Sequence, residues 1–319
     1  MTPSPIAPAI DIRDLRVDYE HFTAVHDLTL KVPAGEVFGL VGPNGAGKTS
    51  TFKVLASLMQ PTYGEVILSG VDVLEDKEEA RRVIGYMPDL APVPRDLKCG
   101  EFLRFYARAQ GLGNAKQCAE RADECLAEVA LTDHKNHWCH KLSRGQTQRL
   151  VLAKTMLHSP KVLILDEPAS GLDPLARREL RGTLRKLASQ GATIFISSHI
   201  LTELAEMCTS ICVMSRGKLL ASGTVDQVRQ QLGDDSRSIT VVPLQEITSV
   251  PDWIRLFDGV ADARIDAGSI LLDFVGDEEA QANLLEEMIR RGLRMRSFTE
   301  KRSSYEEILI GVAERSRLS

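Results

Sequence analysis

No run of about 18 or more apolar residues occurs in the chain, so no stretch of it reads as a membrane-crossing helix. The start, with Pro3, Pro5 and Pro8 and no basic residue before Arg13, lacks the charged lead of a signal peptide. The expectation is a chain that stays in the cytoplasm. A surplus of one charge is also missing: 39 basic against 44 acidic residues leave a net charge of -5. No global basic field therefore argues for a nucleic-acid partner, and none is expected, although a local patch stays open. The six cysteines contain no C-x-x-C pair, and in a chain of this size they point to reduced, mostly buried thiols rather than a disulfide framework. Cys118 and Cys125 share a helical apolar stripe with Ala122, Leu126 and Val129, where a thiol acts as a small hydrophobe. His134, His137, Cys139 and His140 crowd into one short stretch. Their spacing matches no structural zinc pattern, and zinc or a polar loop would each account for them.

What is present is enough for about two domains: 319 residues, 43% of them hydrophobic, suit an ordinary soluble core. The organising stretch is Gly42-Pro43-Asn44-Gly45-Ala46-Gly47-Lys48-Thr49, followed by Ser50. It is a full match to G-x-x-x-x-G-K-[ST], the phosphate-binding loop. The apolar run Val37–Val41 before it predicts a buried strand, and residues 49–58 continue as a helix that Pro61 would stop. The glycines let backbone N–H groups turn inward around phosphates. Lys48 would reach the outer phosphates, and the Thr49 hydroxyl would hold Mg²⁺, which keeps most of its waters.

Alternating apolar residues predict antiparallel strands over 10–17 and 24–32, after a disordered lead-in of residues 1–9. Tyr19 between them would be a core or turn residue, or would stack on a base. A further strand is expected at 66–68. Strand character disappears between Tyr86 and Lys141, where Phe102, Phe105, Tyr106 and Ala109 recur at helical spacing; this is a helical insert of about 90–141. Ser143 is well placed to cap the next helix. The run Val162-Leu163-Ile164-Leu165 ends in Asp166 and Glu167, which puts two carboxylates at the carboxyl end of a buried strand, the edge where ligands of α/β sheets lie. An Asp beside a phosphate loop is the usual second Mg²⁺ anchor. Ser197, Ser198 and His199 end the strand predicted at 193–196, which makes His199 a candidate phosphate contact.

These residues, taken in order over 10 to about 230, resemble the nucleotide-binding subunits of ABC transporters. The phosphate loop is 42–49, the signature resembles Leu142-Ser143-Arg144-Gly145-Gln146, and Val162 to Pro168 resembles the second acidic motif. Ser170-Gly171-Leu172-Asp173-Pro174 looks like the D-loop, His199 like the switch histidine, and Tyr19 takes the place of the adenine-stacking aromatic. The resemblance implies ATP and Mg²⁺ as ligands and an ATPase that works as a head-to-tail pair of subunits, a homodimer on the simplest reading. The signature of one subunit (Ser143, Gly145, Gln146) closes over the phosphate loop of the other. In that arrangement Glu167 polarises the attacking water, Lys48 balances phosphoryl charge, Asp166 with Thr49 holds Mg²⁺, His199 holds the γ-phosphate and Asp173 communicates across the interface. Transmembrane permease subunits would receive the work, which places the chain peripherally on the cytoplasmic face of the membrane.

Two positions depart from the family pattern. Asp89 follows Gly85-Tyr86-Met87-Pro88 where glutamine is usual; it can still ligate Mg²⁺ but adds negative charge beside the γ-phosphate. Arg144 stands where the more usual Leu-Ser-Gly-Gly-Gln signature has a glycine, with Ser143 and Gly145 kept.

The polar stretch 233–238 reads as a linker between an ATPase domain at 10–232 and an accessory domain at 239–319. In the tail, strands at 239–244, 261–265, 270–275 and 293–298, helices at 252–257 and 280–289, and a possible Ser303–Glu306 capping box before a last helix give β-α-β-β-α-β-α, a small ferredoxin-like α+β domain. The hairpin should turn at Ala267-Gly268. This tail, with its closing Ser304-Tyr305-Glu306-Glu307-Ile308-Leu309, is similar to the C-terminal extension of ATPase subunits of ABC-2 type exporters, the group of antibiotic-resistance, sodium-efflux and gliding pumps. The expected fold class is therefore α/β: an ABC ATPase with an antiparallel subdomain and a helical insert, followed by the α+β tail. The alternative is a soluble ABC-type ATPase acting on a ribosome or nucleic-acid complex. It would call for a tandem repeat, a long coiled-coil insertion or a basic face, and none is visible. A phosphate-loop kinase or GTPase would need a base-reading N-K-x-D and leaves the signature unexplained.

Overall fold

The computed structural model describes residues 7–90, 92–232, 237–245 and 247–302. Most of the expected lead-in and linker, the Ser303–Glu306 pair and the closing motif lie outside them. The chain divides into two compact units, Met1–Val228 and Arg229–Ser319.

In the first unit, β1 (Ile10–Tyr19) and β2 (Phe22–Val32) form a hairpin registered from Ile10 opposite Val32 to Tyr19 opposite Phe22. Ile10, Ile12, Leu15 and Val17 face Val25, Leu28, Leu30 and Val32 in one buried layer, the alternation expected of an antiparallel sheet with one face on a core. Order begins before Ile10: Ala9 is buried and its amide donates to the Val32 carbonyl at 2.9 Å, so the lead-in is shorter than its expected nine residues. β3 (Val37–Val41) is buried along its whole length and runs into the phosphate loop and α1 (Lys48–Leu55). α1 is shorter than the expected 49–58 because Ser57 turns into the left-handed region at φ 56, ending the helix well ahead of Pro61. β4 (Tyr63–Leu68) and β5 (Val71–Asp72) complete a four-stranded sheet in the order β2-β1-β4-β5.

α2 (Lys77–Val83) is capped by Asp76 and leads into β6 (Ile84–Met87), a strand that the sequence hides. It is four residues long and includes Gly85, where a Cβ would come within 2.7 Å of the Thr155 carbonyl oxygen. The helical insert follows as α3 (Cys99–Ala109) and α4 (Ala115–Glu128). Phe102 is buried, Phe105 is exposed, and Tyr106 lies edge-on to both with the Lys154 ammonium 5.0 Å from its ring centre. α5 (Arg144–Thr155) starts at the expected cap, and β7 (Val162–Leu165), α6 (Pro174–Ser189), β8 (Thr193–Ser198), α7 (Leu201–Met207), β9 (Ser210–Ser215), β10 (Lys218–Gly223) and α8 (Val225–Gln231) finish the unit. The six-stranded sheet runs β10-β9-β3-β8-β7-β6, parallel except for β10. Parallel strands are covered on both faces, so β3, β7 and β8 read as continuous apolar runs. Their carboxyl ends share one edge.

The second unit contains β11 (Arg237–Pro243), α9 (Asp252–Arg255), β12 (Val260–Asp266), β13 (Ser269–Phe274), α10 (Glu278–Arg290) and β14 (Met295–Arg302). Its sheet is antiparallel throughout, in the order β12-β13-β11-β14. The β12–β13 hairpin turns at Ala267 (φ 46) and Gly268 (φ 79), two left-handed residues as a tight hairpin requires. Ile239, Val241, Ile270, Leu272 and Phe274 pack with Leu284 and Met288 of α10 in a wholly apolar core.

Candidate functional site

The phosphate loop is held open by its glycines and fixed by its neighbours. Gly45 and Gly47 adopt φ 81 and φ 101, and a Cβ on Gly47 would sit 2.3 Å from the Ala24 carbonyl oxygen. At Gly42 a Cβ would meet the Met214 carbonyl oxygen at 2.2 Å. The loop is thus wedged between β2 of one sheet and β9 of the other. Lys48 folds back over it, donating to the carbonyls of Gly42 at 2.7 Å and Pro43 at 3.3 Å. Burial pushes the Lys48 ammonium below its ordinary value, and Glu167, 3.5 Å away, and Asp166 oppose that push.

The two acids at the end of β7 are held separately. Asp166 accepts from Thr49 Oγ1 at 3.0 Å and from Ser197 Oγ at 2.5 Å, while Ser197 also accepts from the Glu167 amide at 2.9 Å. Glu167 has φ 50, a left-handed conformation that a long side chain rarely takes, and it turns the carboxylate out of the strand line toward His199, whose Nδ1 lies 2.9 Å from Oε2. This pairing leaves Glu167 between a lysine and a histidine at the sheet edge.

A cavity of about 470 Å³ opens beside the loop. Residues 44–50 line it together with Tyr19, Asp89, Glu167, Ser170 and His199. Tyr19 donates to or accepts from Ser50 at 3.2 Å and stacks on Phe22 with ring centres 5.0 Å apart and planes 15° apart. Sequence reasoning missed Phe22; its signal was an aromatic three residues after Tyr19 across a two-residue turn. Asp89 lines the cavity, its carboxyl pushed up by burial and then by Asp166 and Glu167.

The remaining expected residues are not among those lining the cavity. Ser143 caps α5 and exchanges hydrogen bonds with Gln146, whose side chain also meets His134 Nε2 at 2.9 Å. Gly145 is pressed on Ala176, and Asp173 caps α6 by accepting from the Ala176 amide. The histidine cluster splits up: the His134 and His137 rings meet edge-on with centres 4.9 Å apart, His140 bonds the Arg95 carbonyl, and Cys139 is buried. Among the described residues no group of three or more His, Cys, Asp or Glu side chains is gathered as a metal centre would be.

A family profile described as ABC transporter matches residues 25–170, and a second, an AAA domain, matches 140–205. The chain is 35% identical over 250 residues to YbhF of Escherichia coli (strain K12), a probable multidrug ABC transporter ATP-binding protein; the match covers 78% of this chain and 43% of YbhF, so the chain spans less than half of that relative. It is 33% identical to the uncharacterized ABC transporter ATP-binding protein YxlF of Bacillus subtilis (strain 168), over 95% of this chain and 99% of YxlF. To the daunorubicin/doxorubicin resistance ATP-binding protein DrrA of Streptomyces peucetius it is 31% identical, over 95% and 92%. A solved ATP binding subunit of an ABC transporter superposes with a TM-score of 0.63 at 32% identity, covering 70% of this chain and 93% of that one. With the phosphate loop, Glu167 and His199 lining one cavity, Asp166 bonded to Thr49 of that lining, and two relatives matching along nearly their full length, the chain belongs to the ATP-binding subunits of ABC transporters.

Proposed function

We propose that the cavity binds ATP with Mg²⁺ and hydrolyses it, and that the chain powers export by an ABC-2 type transporter through ATP-driven closure of two subunits. The observation that carries this reading is the Lys48–Glu167–His199 cluster set against the Thr49–Asp166 pair at one phosphate loop. The donors fit the cation: Thr49 Oγ1 and Asp166 Oδ2 already lie 3.0 Å apart and are hard oxygens, as Mg²⁺ prefers. Thr49 and Asp166 would hold it, with Asp89 and Glu167 the two acids that line the cavity. Bound there, the ion would neutralise charge between the outer phosphates. Lys48 would exchange its carbonyl partners for phosphate oxygens, and the loop amides of 44–49 would surround the phosphates. Glu167 would polarise the attacking water, His199 would hold the γ-phosphate, and Tyr19 with Phe22 would stack on adenine. The signature residues Ser143, Gly145 and Gln146 and the D-loop Asp173, which do not line this cavity, would meet the nucleotide of a second copy. Transmembrane permease subunits would dock on the chain from the membrane, leaving it peripheral on the cytoplasmic face.

We assign residues 10–232 to the ATPase domain and the residues from β11 onward to an accessory domain; the linker expected at 233–238 is cut back to 233–236, because Arg237 and Ser238 already pair with β13 and β14. The order β-α-β-β-α-β with an antiparallel β12-β13-β11-β14 sheet supports a ferredoxin-like accessory fold. The test is direct: the parent chain should bind ATP in Mg²⁺, and Lys48→Ala should weaken that binding at least about tenfold. Unchanged affinity in a folded Lys48→Ala chain would remove the phosphates from this loop.

A further inference from the structure

Glu203, the third residue of α7, is a buried carboxylate that takes no part in lining the nucleotide cavity. A buried charge is costly unless partners hold it, and Glu203 has two. Its Oε2 accepts from Ser198 Oγ at 3.2 Å, and its Oε1 lies 3.3 Å from Arg177 Nη1.

Each partner leads to the cavity. Ser198 immediately precedes His199; its hydroxyl accepts from the Ile200 amide at 3.0 Å, and its carbonyl accepts from the Gly42 amide of the phosphate loop at 3.3 Å. His199 therefore stands on pinned backbone. Arg177 leads the other way: its Nε and Nη2 donate to the Leu172 carbonyl at 3.2 and 3.0 Å. Leu172 belongs to the turn whose Ser170 lines the cavity and donates its amide to the Glu167 carbonyl at 3.0 Å. A planar guanidinium that meets both the Leu172 carbonyl and the Glu203 carboxylate sets the spacing between them.

His199 and Glu167 are thus joined twice. The direct joint is the 2.9 Å contact between His199 Nδ1 and Glu167 Oε2. The second runs from Glu167 through Ser170, Leu172, Arg177, Glu203 and Ser198 to His199. In the proposed function the direct joint has to open, because His199 turns to the γ-phosphate and Glu167 to the attacking water. Arg177 and Glu203 line no part of the cavity, so the second joint stays closed when nucleotide enters.

We propose that Arg177 and Glu203 are positioning residues for hydrolysis, which hold the 170–172 turn and the His199 segment at one spacing after the Glu167–His199 contact has opened. The proposal rests on reading the cavity as the MgATP site. A merely structural pair would do no more than pack α6 on α7. The molecule carries its own control for that role, since Arg181 and Glu206, 2.9 Å apart, join the same two helices one turn further along α6.

The experiment uses the full chain with Glu203→Gln, Arg177→Gln, both together, and Arg181→Gln. MgATP affinity is measured by equilibrium dialysis, turnover by phosphate release at saturating MgATP, and backbone opening by hydrogen–deuterium exchange over 167–173 and 197–201 without nucleotide. Arg177→Gln and Glu203→Gln should each lower turnover about tenfold while affinity stays within about threefold, a loss in rate rather than in binding. The double variant, which leaves no unpaired buried charge, should lose no more than about twice what either single variant loses. Arg181→Gln should stay within about twofold of the parent in both readouts. Exchange should rise across the pair from each substitution, at 170–173 in Glu203→Gln and at 197–201 in Arg177→Gln. Losses that multiply in the double variant, an equal loss of turnover in Arg181→Gln, or exchange that rises only beside each substitution would overturn the proposal. If the parent neither binds nor hydrolyses MgATP, the functional reading fails, and the exchange measurement still decides whether the second joint exists.

Discussion

The two units of the chain solve opposite problems. In the first, Lys48, Gln148, Asp166, Ser197, Ser198 and Glu203 are buried polar or charged groups, and every buried polar residue of the described chain falls in that unit. They are kept inside by one another: Thr49 and Ser197 on Asp166, Lys48 on loop carbonyls, Ser198 on Glu203. In the second unit the sheet and α10 enclose only apolar side chains around Phe274 and Leu272. Burying a charge is costly unless it is paired, so a fold accumulates such groups only where chemistry needs them. The first unit holds a left-handed glutamate at its reactive edge, whereas the left-handed residues of the second sit at turns. One unit is built around a site, the other around a core.

The contrast can be broken or sharpened by experiment. Glu167→Gln should lower the rate of phosphate release by about 10²–10⁴-fold while ATP binding holds, because the amide keeps the shape and loses the base; near-parent release would remove Glu167 from the chemistry. In the other unit, Phe274→Ala should cost about 3–5 kcal/mol of that unit's stability and leave ATP affinity unchanged, read by melting curves followed beside nucleotide binding. Loss of ATP binding together with that unit would show the two to be one cooperative body. Ending the chain after residue 232 should change ATP affinity by less than about twofold, since the cut follows α8 and precedes β11; a larger loss by dialysis would place the tail in the nucleotide site.

The smallest effect concerns pH. Burial holds the His158 imidazole below its ordinary 6.5, against the hydrogen bond from the ring to the Ile84 carbonyl, and its Nδ1 is buried without a partner. Above pH 6.5 both folded and unfolded states carry it neutral; below, the unfolded state takes the proton first. Stability of the first unit should therefore fall as pH drops below 6.5, and His158→Gln should flatten that slope in denaturant titrations.

Local spacing made the centre of the site legible. Asp166 and Glu167 follow directly on the short apolar run of β7, Lys48 and Thr49 close the glycine loop that follows the run of β3, and where a buried strand ends is a local property. The antiparallel hairpins were legible for the same reason, down to the Ala267-Gly268 turn. What escaped depends on distant partners. β6 gains its strand character from pairing with β7, and Phe22 joins the site only because β1 and β2 bring it onto Tyr19. The end of α1 at a left-handed Ser57 is a local event that Pro61, a louder signal, concealed. Lys48's two carbonyl partners depend on the loop's own curl, which no motif states.

The wedging of the phosphate loop makes the site depend on parts of the chain far apart in sequence. Gly42 touches the Met214 carbonyl, Gly47 touches the Ala24 carbonyl, and the Gly217 amide donates to the Ala46 carbonyl at 2.9 Å. Two of these contacts, Gly42 with Met214 and Ala46 with Gly217, join residues about 170 positions apart, while Ala24 and Gly47 are near neighbours in sequence, so the loop's full set of contacts needs β9 and the turn after it in place. The loop therefore has all its walls only when both sheets are docked around it. A nascent chain that has made the motif but not β9 carries the residues of a nucleotide site without the walls that shape it, and a ligand that bound only the docked form would hold the two sheets together.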